Sequence, residues 1–194
     1  MTYRFKIQIR GLRKPTVWRI VTVPGDFTFH KFHQVIQAAF GWLDYHLYEF
    51  RPTEEDVTRV AIPDEEFGVP AIDSREVPIE AYFHKKGDSM VYTYDFGDNW
   101  VHDIKLMAVI QNKHKRAHCE SGQGLCPPED VGGPHGYAML KKAFEESPFN
   151  NMYRDWLGME PYHYFDPDYF SRTEAESYIK DACNGTYGLS EPDD

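Results

Sequence analysis

The feature that most constrains the fold is the segment MVYTYDFGDNWVHDIKL at residues 90–106, which alternates around one glycine-containing turn. Alternation with a period of two places Tyr92, Tyr94 and Phe96 on one face of a strand. The letters GDN that follow are typical turn residues, and WVHDIKL alternates again. The segment therefore predicts a β-hairpin, which needs a larger sheet to bury its aromatic face.

The register of this hairpin decides which side chains meet, because a slip of one residue moves every side chain to the other face. A two-residue loop would place Asp95 beside Trp100 and His102. A three-residue loop at 97–99 would instead give one continuous apolar face, with the tyrosines and Trp100 together. We predict the three-residue loop, which turns His102 toward the apolar layer beside Tyr94.

The first fifty residues combine strand and helix patterns. YRFKIQIR and VWRIVTV alternate apolar and polar residues, which indicates two half-buried strands. Asp26 or Thr28 can cap a helix that runs to about Gly41, with apolar residues at helical spacing. HLYEF, at residues 46–50, is typical of a further strand. The start of the chain is therefore predicted to be β-β-α-β and to resemble a β-grasp.

The last third of the chain has helical patterns. The clearest is SRTEAESYIKDACNG, in which Ser171 and Glu174 form a capping box. Together with the N-terminal patterns, this predicts a single α+β domain over residues 1–184. Its central hairpin joins the same sheet as the N-terminal strands, and its C-terminal third is helical. Residues 185–194 are predicted to form a flexible acidic tail.

Residues 53–80 differ in composition from the rest of the chain. They carry nine acidic residues against Arg59 and Arg75, and their three prolines interrupt any periodicity. The pattern predicts an acidic excursion on the surface. Such a segment is either a solvated loop or a mobile lid over a site.

Charge limits the partners that the chain can bind. With 21 basic and 31 acidic residues the net charge is −10, so a uniformly anionic surface would repel phosphate backbones. The only basic run is NKHKRAH at 112–118, which disfavours direct binding of nucleic acid. MTYRFKIQIR is not a signal peptide, and no apolar run reaches the roughly 18 residues of a membrane span. We expect a cytoplasmic protein that does not bind membranes.

Two of the three cysteines lie close enough in sequence to consider a metal site. Cys119 and Cys126 flank a glycine-rich segment, and zinc often binds Cys together with His. His102 is the preferred third ligand, and the other candidates are His114, His118 and His135. The cysteine spacing is wider than in common zinc sites, so no cofactor is expected, and zinc is the metal that these residues would suit. The alternative is that both cysteines are buried or inert thiols.

The segment PPEDVGGPHGY presents two carboxylates on a stiff turn. Prolines fix the backbone beside Glu129 and Asp130, while Gly132 and Gly133 allow positive φ or close approach of another segment. Paired carboxylates can hold a metal or act as acid and base. Alternatively, these acids cap a helix that begins near Gly136.

YTYDFGDNWVHDIKL and CESGQGLCPPEDVGGPHGY together resemble the signature segments of plasmid ORF-3-like proteins, also labelled passenger or resolvase-like proteins of insertion elements. The likeness extends to KPTVWRIVTVP, FHQVIQAAFGWLDYHLYEF and FDPDYFSRTEAESYI, and so covers nearly the whole chain. The resemblance implies a compact α+β domain from a family whose biochemical role is not established. The positions it singles out are Asp95, Gly97, Asp98, Trp100, His102, Cys119, Cys126, Pro127, Pro128, Glu129, Asp130, Gly132, Gly133, Gly136 and Tyr137. A serine recombinase needs a nucleophilic serine near its N-terminus, and MTYRFKIQIR has none.

The unusual motifs lack a complete catalytic set, which favours a non-catalytic binding or accessory module that serves mobile-element or host proteins. We expect the hairpin and the CPPEDVGG segment to lie together and form an aromatic and acidic groove for a protein or small-molecule ligand. Its predicted lining is Tyr94, Asp95, Asp98, Trp100, His102, Glu129, Asp130, Gly132, Gly133 and Tyr137. The alternative is a metal-dependent enzyme, a hydrolase, that uses Cys119, Cys126, His102, Asp98, Glu129 and Asp130. No residue is assigned as catalytic, and the balance is against an enzyme.

Overall fold

A computed structural model of the chain describes residues 1–53, 58–63, 70–112, 114–160 and 162–187. These residues form eight strands, four α-helices and one short 3-10 helix, Ile79–Ala81. The strands are β1 (Thr2–Ile9), β2 (Trp18–Pro24), β3 (Tyr48–Pro52), β4 (Val60–Ala61), β5 (Ile72–Asp73), β6 (Ser89–Tyr94), β7 (Trp100–Ile110) and β8 (His118–Gln123). The helices are α1 (Phe29–Phe40), α2 (Gly133–Glu146), α3 (Asn151–Trp156) and α4 (Arg172–Asn184).

All eight strands belong to one sheet, in the order β5-β4-β3-β6-β7-β1-β2-β8. Every pairing is antiparallel except that between β4 and β5. The predicted hairpin is β6 and β7, and β7 pairs directly with β1 at the centre of the sheet. The α+β class, the β-β-α-β start and the placement of the hairpin in the same sheet are therefore confirmed.

Helix α1 packs on the apolar face of the central strands. The ring centroids of Phe5 on β1 and Phe32 on α1 lie 4.9 Å apart, and both side chains are fully buried. Thr28 caps the helix by accepting a hydrogen bond from the backbone N–H of Lys31 at 3.2 Å. Gly41 ends it in the left-handed conformation, with φ of 97°. The helix thus delivers the following residues to the end of the sheet at which the hairpin turns.

The hairpin has the predicted facing but a different loop. Tyr94 pairs with Trp100 and Tyr92 with His102, so the aromatic residues share the core face as expected. The connection is five residues long, 95–99, and the predicted three-residue loop is wrong. Asp95 and Asn99 both adopt positive φ, and the N–H of Asn99 donates to the carbonyl of Asp95 at 2.6 Å. Phe96 consequently lies in the loop rather than on the core face.

The C-terminal third is helical, as predicted. Ser171 caps α4 through the N–H of Glu174, at 3.3 Å. Helix α2 begins at Gly133, earlier than predicted. Within the predicted tail, the hydroxyl of Tyr187 donates to the carbonyl of Trp42 at 2.7 Å. Residues 188–194 of that tail lie outside the described residues.

The acidic excursion is not a loop throughout. Within 53–80 the short strands β4 and β5 extend the sheet beyond β3, and Ile79 is fully buried. Residues 54–57 and 64–69, on which the choice between loop and lid depends, lie outside the described residues. Among the helices that the structure describes, none is long and apolar enough to cross a membrane.

Candidate functional site

Three segments meet at one end of the sheet, and we call their meeting point the junction: loop 42–47 after α1, hairpin loop 95–99, and residues 126–133 before α2. Glu129 lies at its centre. Its Oε1 accepts hydrogen bonds from the N–H of Leu43 at 2.9 Å and from the hydroxyl of Tyr94 at 3.0 Å. The two motif segments therefore lie together, as the sequence predicts, and loop 42–47 joins them.

Burial shapes the chemistry of this pair. Desolvation raises the pKa of Glu129, and burial together with the charge of Glu129 raises the pKa of Tyr94 well above its usual range. The Tyr94 hydroxyl therefore stays protonated and donates to Glu129, while it accepts from the N–H of Tyr45 at 3.1 Å. Glu129 and Tyr94, both predicted site residues, thus hold the three segments together.

Asp98 makes the second connection of the junction. Its Oδ2 accepts a hydrogen bond from the N–H of Gly132 at 3.0 Å, so the loop before α2 is capped from the hairpin. A Cβ on Gly133 would lie 2.5 Å from the carbonyl oxygen of Asp98, and its φ is +67°. The prediction that Glu129 or Asp130 caps α2 is therefore wrong. Gly132 and Gly133 instead permit the close approach of the hairpin.

The predicted aromatic lining is closed to solvent. Tyr94, Trp100 and His102 are 0% exposed, and Tyr137 is 1% exposed. Trp42 packs against Trp100, with ring centroids 5.9 Å apart, and against His102, at 5.3 Å. Four of the aromatic and histidine residues predicted to line a groove are thus part of the hydrophobic core, which places them out of reach of a ligand.

His102 is neutral in the fold. Its Nδ1 donates to the carbonyl oxygen of Trp100 at 2.9 Å, an assignment that follows because a carbonyl only accepts. Burial lowers the pKa of His102 to about 3. Its neighbours include the rings of Phe40, Trp42 and Tyr92. The side chain is a core histidine with one backbone hydrogen bond.

The structure does not bring Cys119, Cys126 and His102 together. Cys119 is on β8 and His102 on β7, with β1 and β2 between them, so three strand spacings of about 4.8 Å keep them roughly 14 Å apart or more. Burial raises the pKa of the Cys119 thiol to about 11 and that of Cys126 well above its usual range. Among the alternative ligands, His118 pairs with Glu176 at 3.2 Å.

Cys126 borders a cavity of about 360 Å³ between the CPPE segment and α4. Its other lining residues include Arg19, Trp42, Glu129, Phe170 and Tyr178. Arg19 lies between the rings of Phe40 and Phe170, at 4.8 and 4.5 Å, and donates to the carbonyls of Gln123 and Gly124. Through these contacts the guanidinium of Arg19 connects β2, the end of β8 and the start of α4.

Two of the predicted acids meet a histidine that the sequence analysis did not single out. The Nε2 of His46 lies 3.1 Å from Oδ1 of Asp130 and 3.8 Å from Oδ2 of Asp95. The Asp95 side chain is 8% exposed, whereas that of Asp130 is 70% exposed. The available signal was the position of His46 within FGWLDYHLYEF, one of the segments that carry the family resemblance.

An open cavity of about 590 Å³ lies beside this cluster. Its lining residues are His30, Asp44, Tyr45, His46, Leu47, Tyr48, Arg59, Ala61, Ile62 and Phe96. Tyr45, Leu47 and Phe96 are 65%, 50% and 49% exposed, so large apolar side chains face solvent there. This surface is aromatic, with Asp44 and Arg59 also in its lining, and its residues are not those predicted to line the groove.

A buried polar network fixes the wall of this cavity. Tyr92 donates to Nδ1 of His33 at 2.8 Å, and Nε2 of His33 donates to Oδ1 of Asp44 at 2.7 Å. Gln37 completes the network by donating to the Tyr92 hydroxyl at 3.0 Å and by accepting from the N–H of Asp44 at 3.1 Å. Burial lowers the pKa of His33, which favours its neutral form. The loop that carries Tyr45 and His46 is therefore held at its start.

Comparisons with known proteins show which family the chain matches and which solved structure it resembles. A family model for plasmid pRiA4b ORF-3-like proteins matches residues 1–174. An uncharacterized protein, y4hQ, from Sinorhizobium fredii (strain NBRC 101917 / NGR234) is 37% identical over 154 residues, which is 77% of each chain. The crystal structure of a protein of unknown function, MM3350 from Methanosarcina mazei Go1, has a TM-score of 0.75 at 29% identity. That alignment covers 89% of this chain and 96% of the other. The chain belongs to the plasmid pRiA4b ORF-3-like family.

Proposed function

We propose that the protein is a non-catalytic binding module that holds an apolar segment of a partner protein in the cavity beside loop 42–47. One observation carries this proposal. Tyr45, Leu47, Ile62 and Phe96 are exposed large apolar residues, and all four line the same cavity. Exposed apolar side chains are ordinary when scattered, but a group of them around a concave surface is typical of a binding site.

The size and rigidity of the cavity support a specific ligand. A volume of about 590 Å³ is within the range of ligand pockets. Burying one large apolar side chain there would contribute about 1.5–3 kcal/mol. Because His33 anchors the Asp44 side chain and the Tyr94 hydroxyl anchors the backbone N–H of Tyr45, the backbone of this loop has little conformational entropy to lose on binding.

Charge narrows the class of ligand. Asp44 and Arg59 both line the cavity, but Arg59 pairs with Glu49 at 3.1 Å, and the exposed carboxylate of Asp130 lies beside His46 at the border. On a chain with a net charge of −10 these carboxylates oppose an anionic ligand. The ligand is therefore an apolar segment that is neutral or basic. The plasmid origin in the family's name supports a search for this partner among proteins of the mobile element or its host.

The positions of the groups that the alternative, a metal-dependent hydrolase, would use support a module without catalysis. Asp98 caps the loop at Gly132, Glu129 binds Leu43 and Tyr94, and His102 is enclosed by aromatic rings. A hydrolase built from these residues would need them open to substrate. Their hydrogen bonds instead serve the fold.

A selection with displayed random peptides tests the proposal. The full wild-type chain is immobilised, and the selection is carried out in buffer that contains a chelator. The affinities of the enriched peptides are then measured for the wild type and for the variants Leu47→Asp and Met152→Asp. Met152 is the matched control, because it is an apolar residue 67% exposed on α3 that does not line the cavity. We expect the selection to enrich apolar peptides that are poor in acidic residues. Leu47→Asp should bind these peptides at least tenfold more weakly than the wild type, and Met152→Asp should bind them equally well. Equal binding by Leu47→Asp, or no enrichment alongside turnover in a broad hydrolase screen, would overturn the proposal.

A further inference from the structure

We propose that His46, Asp95 and Asp130 form a binding site for one divalent transition-metal ion of the Zn²⁺ or Mn²⁺ type. One imidazole nitrogen and one oxygen from each carboxylate all lie within 4.8 Å of one another. The site is distinct from the set of cysteines and His102 that the sequence suggested. It also does not depend on the binding of an apolar segment in the cavity.

The distances fit one shared ion. Nε2 of His46 is 3.1 Å from Asp130 Oδ1 and 3.8 Å from Asp95 Oδ2. With metal–ligand bonds of about 2.1 Å, two ligands of one ion lie roughly 3.0 Å apart in octahedral and 3.4 Å apart in tetrahedral geometry. Side-chain shifts of roughly 1 Å or less would therefore complete the coordination of an ion.

One polar atom at this point lacks the hydrogen bond that burial demands. Nε2 of His46 is shielded from solvent and has no hydrogen-bond partner among the described residues, since its contact with Asp130 lacks the alignment of a hydrogen bond. The Asp95 side chain is more than nine-tenths buried. Its Oδ1 accepts from the N–H of Gly97 at 2.8 Å, and its Oδ2 lies 3.8 Å from Nε2 of His46. An ion bound between His46 and Asp95 would give the imidazole nitrogen the partner that it lacks.

The surrounding structure holds the three ligands in place. The hydrogen bond from Gly97 orients the Asp95 carboxylate, which is the kind of outer contact that metal ligands use. Asp130 follows Glu129, whose carboxylate is fixed at the centre of the junction. The ring of His46 packs on the edge of Tyr94, with centroids 5.9 Å apart. Each ligand thus comes from a different segment, and contacts of their own orient His46 and Asp95.

The donor set selects the class of ion. Imidazole favours Zn²⁺, Mn²⁺ and similar ions over Mg²⁺ and Ca²⁺, which prefer oxygen ligands alone, and the absence of sulfur disfavours Cu⁺. Three protein ligands leave at least one position for water. Asp130 is 70% exposed, so an ion can enter from solvent.

Titration of the chelator-treated full chain with ZnCl₂, and separately with MnCl₂, tests this inference by calorimetry. We expect one ion per chain and an NMR shift of the His46 ring on binding. Asp130→Asn and His46→Gln should each weaken binding at least tenfold. The matched control is His84→Gln, because His84 forms an exposed pair with Asp88 at 4.0 Å and has no place in the cluster. It should leave the affinity unchanged.

Folding of each variant is checked by circular dichroism in chelator, and the exposure of Asp130 makes its change to Asn harmless to the core. Two results would overturn the inference: folded wild-type protein that binds neither ion at millimolar concentration, or binding that both cluster variants retain in full. The peptide selection is carried out in chelator, so its failure and the failure of the metal site are separate results.

Discussion

The junction and the cavity beside it are neighbours that use similar residue types in opposite ways. In the junction Tyr94, Trp100 and His102 are completely buried, whereas around the cavity Tyr45 and Phe96 are about half exposed or more. The residues that look most unusual in the sequence are those that close the fold. The residues that are open to solvent stand one to a few positions away from them in the same loops.

The difference has a physical origin. A buried aromatic side chain removes about 150–250 Å² from water, so a cluster such as Trp42, Tyr94 and Trp100 contributes strongly to stability wherever it is enclosed. Residue type alone does not tell which aromatic will be enclosed. The five-residue hairpin loop decides it here, since it leaves Phe96 outside the paired strands and Trp100 within them.

The largest expected effect comes from emptying the junction. Trp100→Ala should lower the free energy of unfolding by about 3–5 kcal/mol, because it leaves a cavity in the core. Phe96→Ala, in the adjacent loop, should change it by less than about 1 kcal/mol. Urea denaturation monitored by circular dichroism measures both. Similar losses for the two variants would break the distinction between a structural junction and an exposed cavity.

A smaller effect is expected where the hairpin touches the glycines. Gly133→Ala would place a Cβ 2.5 Å from the Asp98 carbonyl oxygen at a φ of +67°. The backbone strain alone costs about 1–3 kcal/mol, and the contact adds to it. The control is Gly158→Ala, since its φ is +59° and no atom lies within 4 Å of the added Cβ. In urea titrations Gly133→Ala should lose at least twice as much stability as the control, and an equal loss would show that the hairpin yields at this contact.

The smallest effect concerns pH. The pKa of His102 is about 3 in the folded state, below the ordinary value of 6.5, so the unfolded chain binds the proton first. Its contribution to stability is complete above pH 6.5 and is lost as the pH falls below that value. Between pH 7.5 and 5 the loss is about 2 kcal/mol, at roughly 1.4 kcal/mol per pH unit.

His102→Phe should remove this contribution to the loss of unfolding free energy between pH 7.5 and 5. His84→Gln, which changes an exposed histidine, should not. Urea unfolding of the three proteins at pH 7.5 and 5 provides the comparison. His33 is also buried with a lowered pKa and acts in the same direction in all three proteins, so it cancels in the difference. An unchanged pH dependence in His102→Phe would mean that the junction opens to water.

The features that sequence predicted correctly are those set by local chemistry. Thr28 and Ser171 cap helices, Gly41 ends one, and the alternation of YRFKIQIR specifies a half-buried strand. Each depends on a few neighbouring residues. The α+β class follows because such local signals, taken in order, leave few arrangements.

The features that sequence missed depend on distant residues. His46 meets Asp95 and Asp130 only because loop 42–47 turns back onto the hairpin. The five-residue loop was missed because Asp95 adopts positive φ, which is uncommon for a residue other than glycine. Asp98 bonds to Gly132 rather than within its own turn, and no local pattern distinguishes these two uses of an aspartate.

Glu129 connects Leu43 and Tyr94 across 86 and 35 positions of the chain. Such contacts must overcome loop-closure entropy before they contribute any stability, so we expect them to form after α1 and the β6–β7 hairpin. A change at Glu129 should therefore affect the assembly of the junction more than the folding of α1 or of the hairpin.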